Sequence, residues 1–117
     1  MNDNFTILRN EFSAGEGSFL IQLRCELTWD RDAFTRLTTA MQTYCEESSH
    51  PDTLERWIAE GFWYIPSFVQ DWATHASFPR EHAEDYYAQA FERLNDLAYW
   101  YFLGESPYEG NTGFEPL

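Results

Sequence analysis

Lysine is missing from this chain altogether: its seven basic side chains are all arginine, set against twenty acidic ones. Without lysine there is no Schiff-base nucleophile, no pyridoxal-phosphate attachment and no P-loop lysine. Cysteine is scarce too, with only Cys25 and Cys45. So small a number suits two reduced, small core residues better than a disulfide framework. No segment approaches the roughly 20 consecutive apolar residues needed to span a bilayer. The opening Met1-Asn2-Asp3-Asn4 has neither the basic start nor the apolar run of a secretion signal. Cytoplasmic residence is the expectation.

The motifs of familiar enzymes are absent as well. There is no glycine-rich nucleotide fingerprint, nucleophile elbow, zincin motif or EF-hand loop. Gly15 and Gly17 sit in a turn rather than at a strand-to-helix junction. Neither a cofactor nor a catalytic residue is expected. His75, Glu81, His82 and Asp85 offer imidazole and carboxylate donors of the kind that bind divalent metals. Their spacing matches no established site, and a charged helix start supplies the same residues, so no metal is expected. Cys45 near His50 lacks an orienting third group and reads as a structural thiol.

What the chain has in abundance is negative charge and aromatic rings. Its formal net charge is −13 over 117 residues, with ten Phe, seven Tyr and five Trp. Each buried ring removes roughly 150–250 Å² from water, so a single domain can build a core without metal or disulfide help. Nucleic-acid affinity rests on Lys and Arg neutralising phosphates, which excludes a nucleic-acid partner here. Anionic membrane surfaces are repelled for the same reason. A basic protein is the partner this field attracts. Solubility alone would select the same charge.

Periodicity predicts an α+β domain over residues 1–104, with an N-terminal antiparallel β-hairpin (4–28) packed against about four helices (within 30–103). Phe19, Ile21, Leu23, Cys25 and Leu27 alternate with Gln22, Arg24 and Glu26, as in a half-buried strand. Residues 5–12 are the expected partner strand across the Ser13–Gly17 turn. An exposed hairpin edge would let two copies pair into a homodimer. Asp30 is a candidate N-cap for a helix bearing Ala33, Phe34, Leu37, Met41, Tyr44 and Cys45. A second helix is expected from Pro51 to Gly61 and a third from Pro66. The last runs from about Pro79 to Leu103 and stops at Gly104. Residues 105–117 read as an acidic tail with Tyr108 and Phe114 as anchors.

Segment 46–60 is the main candidate site. Glu46, Glu47, Asp52, Glu55 and Glu60 face a single Arg56, a local charge of −4. Trp57 lies among them and either anchors a contact or faces the core with Leu54 and Ile58. Carboxylates around an aromatic anchor suit recognition of a basic protein, since charge steers and a ring supplies desolvated contact. Trp100 falls off the main apolar face of the last helix and is the candidate exposed ring. These features favour a non-enzymatic inhibitor or immunity-type protein that masks a basic partner such as a nuclease toxin. A small-molecule binder with an aromatic pocket, or an oligomeric structural component, is the alternative.

Overall fold

The computed structural model describes residues 3–48, 52–107 and 117, and among them there are five helices and no strand. They are α1 (Asp3–Phe12), α2 (Phe19–Glu26), α3 (Arg31–Glu47), α4 (Arg56–Ala73) and α5 (Glu84–Leu103). The backbones of α1, α3, α5 and α4 neighbour one another in that cyclic order, and across the middle the Tyr44 ring of α3 meets the Phe62 ring of α4 at 6.3 Å. The four therefore form a closed ring around one core. α2 lies across α1, α3 and α4 and does not reach α5.

The expected hairpin is overturned: residues 4–28 hold two helices and a turn. Alternation at 19, 21, 23, 25 and 27 concealed a helical triplet, because Phe19, Leu20 and Leu23 are the residues that bury. Cys25 and Leu27, counted as inward-facing, are exposed. Ser18 starts α2 as its N-cap, its side chain accepting from Ile21 N–H. With no sheet edge among the described residues, the edge-paired homodimer loses its basis.

A buried carboxylate fixes the α1–α2 corner. Glu11 is 1% exposed and accepts from Phe19 N–H at 2.9 Å and from Arg36 Nε at 2.7 Å. Arg36 also donates through Nη2 to the Gly17 carbonyl at 2.5 Å. One acid thus caps the start of α2 and ties both helices to α3. Buried charge needs this degree of pairing, since its desolvation is otherwise uncompensated.

α3 begins as expected: Asp30 accepts from Asp32 N–H and Ala33 N–H. The two helices expected on either side of residues 61–66 are instead one, α4, with Pro66 inside it. Gly61 does not end α4 because it packs against α1. A Cβ there would lie 2.1 Å from the Phe12 ring, so only glycine permits this approach. Pro66 is buried beside Ile65, one turn on from Phe62 and one before Val69. That packing offsets the roughly 3 kcal/mol an interior proline costs a helix. Pro51 lies outside the described residues, and Leu54 is exposed ahead of α4.

α5 starts at Glu84, later than Pro79, and ends at Gly104 in the left-handed region (φ 82°). Its inward stripe is Tyr87, Ala90, Leu94, Leu97 and Tyr101, with Tyr86 also buried. Trp29, between α2 and α3, gathers this end of the core. Its ring meets Phe19, Tyr86 and Tyr87 edge-on at 4.9–5.9 Å, and its Nε1 donates to the Tyr86 hydroxyl at 3.0 Å. The expected anchors Tyr108 and Phe114 lie outside the described residues; Leu117 packs against the core.

Candidate functional site

α4 decides which rings face outward. Ile58, Phe62, Ile65, Val69 and Ala73 form its buried stripe, at three- and four-residue steps. The Phe62-Trp63-Tyr64-Ile65 tetrad therefore splits. Phe62 and Ile65 go in, and Trp63 and Tyr64 come out 70% and 48% exposed. Trp63 is the most exposed large apolar side chain among the described residues.

Trp63 and Tyr64 form a ridge between two depressions. On one side lies an apolar groove of about 630 Å³, lined by Leu27, Phe68, Trp72 and Phe78 with Asp71 and His75. Tyr64, Phe68 and Trp72 recur every four residues and stack in series, with centroids 5.2 and 5.4 Å apart. Trp72 is held by its Nε1, which donates to the Leu23 carbonyl at 3.0 Å. Leu27 reaches the groove from a left-handed C-cap (φ 52°) that turns the chain out of α2. The far side of the ridge holds about 430 Å³ and is lined by Arg9, Phe12, Trp57 and Glu60. Carboxylates thus flank the ridge, Asp71 on one side and Glu60 on the other.

The predicted site residues do not gather into one patch. Glu46 and Glu47 are exposed in the last turn of α3, where Glu46 accepts from Gln42 Nε2 at 3.0 Å. Asp52 is exposed ahead of α4. Glu55 occupies the N-cap position of α4 without capping it, and accepts instead from Trp57 Nε1 at 2.8 Å. Trp57 is half-buried under α1: Phe5 and Phe12 meet it edge-on, and the Arg9 guanidinium lies 4.7 Å from its ring. Only Glu60 reaches the aromatic ridge. Trp100 is half-buried against the core, so the exposed-ring role falls to Trp63. The signal for Trp63 was present in the spacing of Ile58, Phe62, Ile65 and Val69, which leaves 63 and 64 outside that stripe.

Four of the seven arginines are engaged by rings or by a buried acid of the fold. Arg9, Arg31 and Arg80 lie over the rings of Trp57, Tyr86 and Tyr87 at 4.1–4.7 Å, and Arg36 serves Glu11. Arg80 also pairs with the exposed Glu84, Nη2 to Oε1 at 2.9 Å.

The two histidines among the described residues are both engaged in hydrogen bonds. His82 Nε2–H donates to the Trp29 carbonyl at 3.0 Å, and His75 Nδ1 accepts from Ser77 N–H at 3.1 Å. Among the described residues no group of three or more His, Cys, Asp or Glu is placed to hold a metal ion. Cys25 and Cys45 are unpaired thiols, and burial pushes the Cys45 thiol up to about 12, with Glu46 adding to the shift. No helix among the described residues is long and apolar enough to cross a membrane.

No family model, curated protein or solved structure matches this chain.

Proposed function

We propose that this protein is a non-enzymatic binding module that masks a basic protein partner, and that the partner docks on α4. The supporting observation is the Trp63–Tyr64 ridge, exposed beside an apolar groove and flanked by Glu60 and Asp71. A tryptophan left 70% exposed gains little for the fold. On binding, it is the side chain type that most often supplies a large share of the affinity. The occupant that fits is a basic amphipathic helix of the partner. Its apolar side chains would enter the Leu27–Phe78 groove, and its Lys or Arg side chains would meet the flanking carboxylates. A charge of −13 disfavours a second copy of the same chain as occupant. An inhibitor or immunity-type role, in a cytoplasm that keeps both thiols reduced, is the biological form of this reading.

The test is a fluorescence titration with a designed Lys/Leu amphipathic helical peptide and a scrambled peptide of equal charge. The patterned peptide is expected to bind the tighter, with affinity falling as salt rises. Trp63→Ala should weaken it by roughly 30-fold, about 2 kcal/mol, while leaving the melting temperature unchanged. Equal binding of both peptides, or no effect of Trp63→Ala, would leave only diffuse charge attraction and refute the docking site.

A further inference from the structure

A second concavity, sharing no lining residue with the Trp63 groove, lies where α3 and α5 end and α4 begins. It encloses about 500 Å³ and is lined in part by Tyr44, Ser48, Glu55, Tyr101, Phe102 and Gly104. Its electrostatics run against ordinary helix design. The last turns of α3 and α5 carry no basic residue, although each helix C-terminus bears about half a negative charge. α3 even places Glu46 and Glu47 in its last turn. The N-terminus of α4 offers the opposite partial charge, but the Glu55 carboxylate stands at its N-cap and outweighs it. Arg56, next in sequence, is exposed and does not line the concavity.

Tyr101 supplies an independent observation. It is only 8% exposed, its ring stacks on Phe62 at 4.2 Å with an interplanar angle of 4°, and its hydroxyl has no hydrogen-bond partner. Buried hydroxyls are nearly always paired, so an orphan marks a place where a polar group belongs. Burial first, then Tyr44, Cys45 and Glu55, push this hydroxyl up to about 12, which keeps it neutral. Tyr44 itself stands 6.0 Å from Tyr101, centroid to centroid, and Phe102 4.9 Å.

We infer that this concavity is a binding site for an organic cation bearing N–H donors, an alkylammonium or alkylguanidinium group. Glu55 and the carbonyls at the ends of α3 and α5 accept its N–H groups. The Tyr101 oxygen accepts one more. The rings of Tyr44 and Phe102 attract its charge and cover its alkyl arm. Phosphates and carboxylates are excluded by the same field.

The probes are n-butylammonium and ethylguanidinium, followed by amide NMR shifts of the whole chain, with n-butanol and butyrate as neutral and anionic controls. Saturable shifts centred on Ser48, Glu55 and Gly104, absent with both controls, are the expected result. Glu55→Gln should weaken binding by about tenfold and Tyr101→Phe by severalfold. Tyr101→Phe should leave the melting temperature of the free protein unchanged or raised, since the hydroxyl it removes is unpaired. Shifts that never saturate, or that spread evenly over all surface acids, would show only a counterion atmosphere and overturn the site. So would equal binding of n-butanol, or wild-type affinity in both variants. A blocked Gly-Arg-Gly peptide separates the natural sources: tighter binding than ethylguanidinium names a protein arginine, weaker binding a free small cation. Neither variant touches Trp63, so failure here leaves the peptide titration on α4 intact.

Discussion

Replacing Glu11 by alanine tests the account of this fold at its most buried charge. The substitution leaves two donors without their acceptor: Phe19 N–H at the start of α2, and Arg36 Nε on α3. An unpaired buried N–H costs about 1–3 kcal/mol, and breaking a buried ion pair about 3–5 kcal/mol. The two overlap, and the Arg36 side chain is 42% exposed, so water can take over part of its solvation. A net loss of about 3–4 kcal/mol follows, and at roughly 4 °C per kcal/mol this lowers the melting temperature by some 12–16 °C. Arg36→Ala should cost less than Glu11→Ala, because it leaves Phe19 N–H satisfied. Glu11→Gln should fall below both, since its amide oxygen still accepts one donor. Thermal and urea unfolding of the three variants gives the ranking. A Glu11→Ala loss under about 1 kcal/mol, or an Arg36→Ala loss exceeding it, would refute the claim that this carboxylate organises the α1–α2–α3 corner.

Three further predictions concern the core and the thiols. Burial raises the Cys45 thiol and the Tyr44, Tyr86 and Tyr101 hydroxyls, so the folded chain keeps protons that the unfolded chain has released. The resulting stability is complete below about pH 9 and falls as pH rises towards 12; Cys45→Ala should flatten the fall by up to about 1.4 kcal/mol per pH unit, read from urea midpoints. Gly61→Ala should destabilise by roughly 1–3 kcal/mol despite its better helix propensity, and a double-mutant cycle with Phe12→Ala should show coupling, because the new Cβ meets the Phe12 ring. In thiol titration with a disulfide reagent at pH 8, exposed Cys25 should react at once and buried Cys45 only on unfolding; two fast thiols in the native protein would contradict the packing of α3 against α5.

Helices with a local stop, start or long apolar stripe could be read directly. Asp30, the 33–45 stripe and Gly104 each act through neighbours within a turn or two, and their roles in α3 and α5 are as expected. Segments whose state depends on distant contacts could not. Residues 18–28 satisfy a strand period as well as a short helix, and the tie is broken by Ser18, Glu11 and the ring of helices beneath. Gly61 and Pro66 carry local stop and start signals, overridden by the fit of Gly61 against Phe12 and the burial of Pro66.

The candidate site divides the same way. Composition by itself determined the sign of the net charge, the exclusion of lysine chemistry, and an aromatic supply sufficient for a core. It could not say which rings stay outside. That needed α4 to run unbroken through 61–66, because only a continuous helix turns Phe62 and Ile65 inward and leaves Trp63 and Tyr64 facing water. Trp100, chosen from its place on α5, is instead half-covered by packing against the core. Charge is a property of the chain and survives any fold. Exposure is a property of what packs against what, and it exists only once the helices have met.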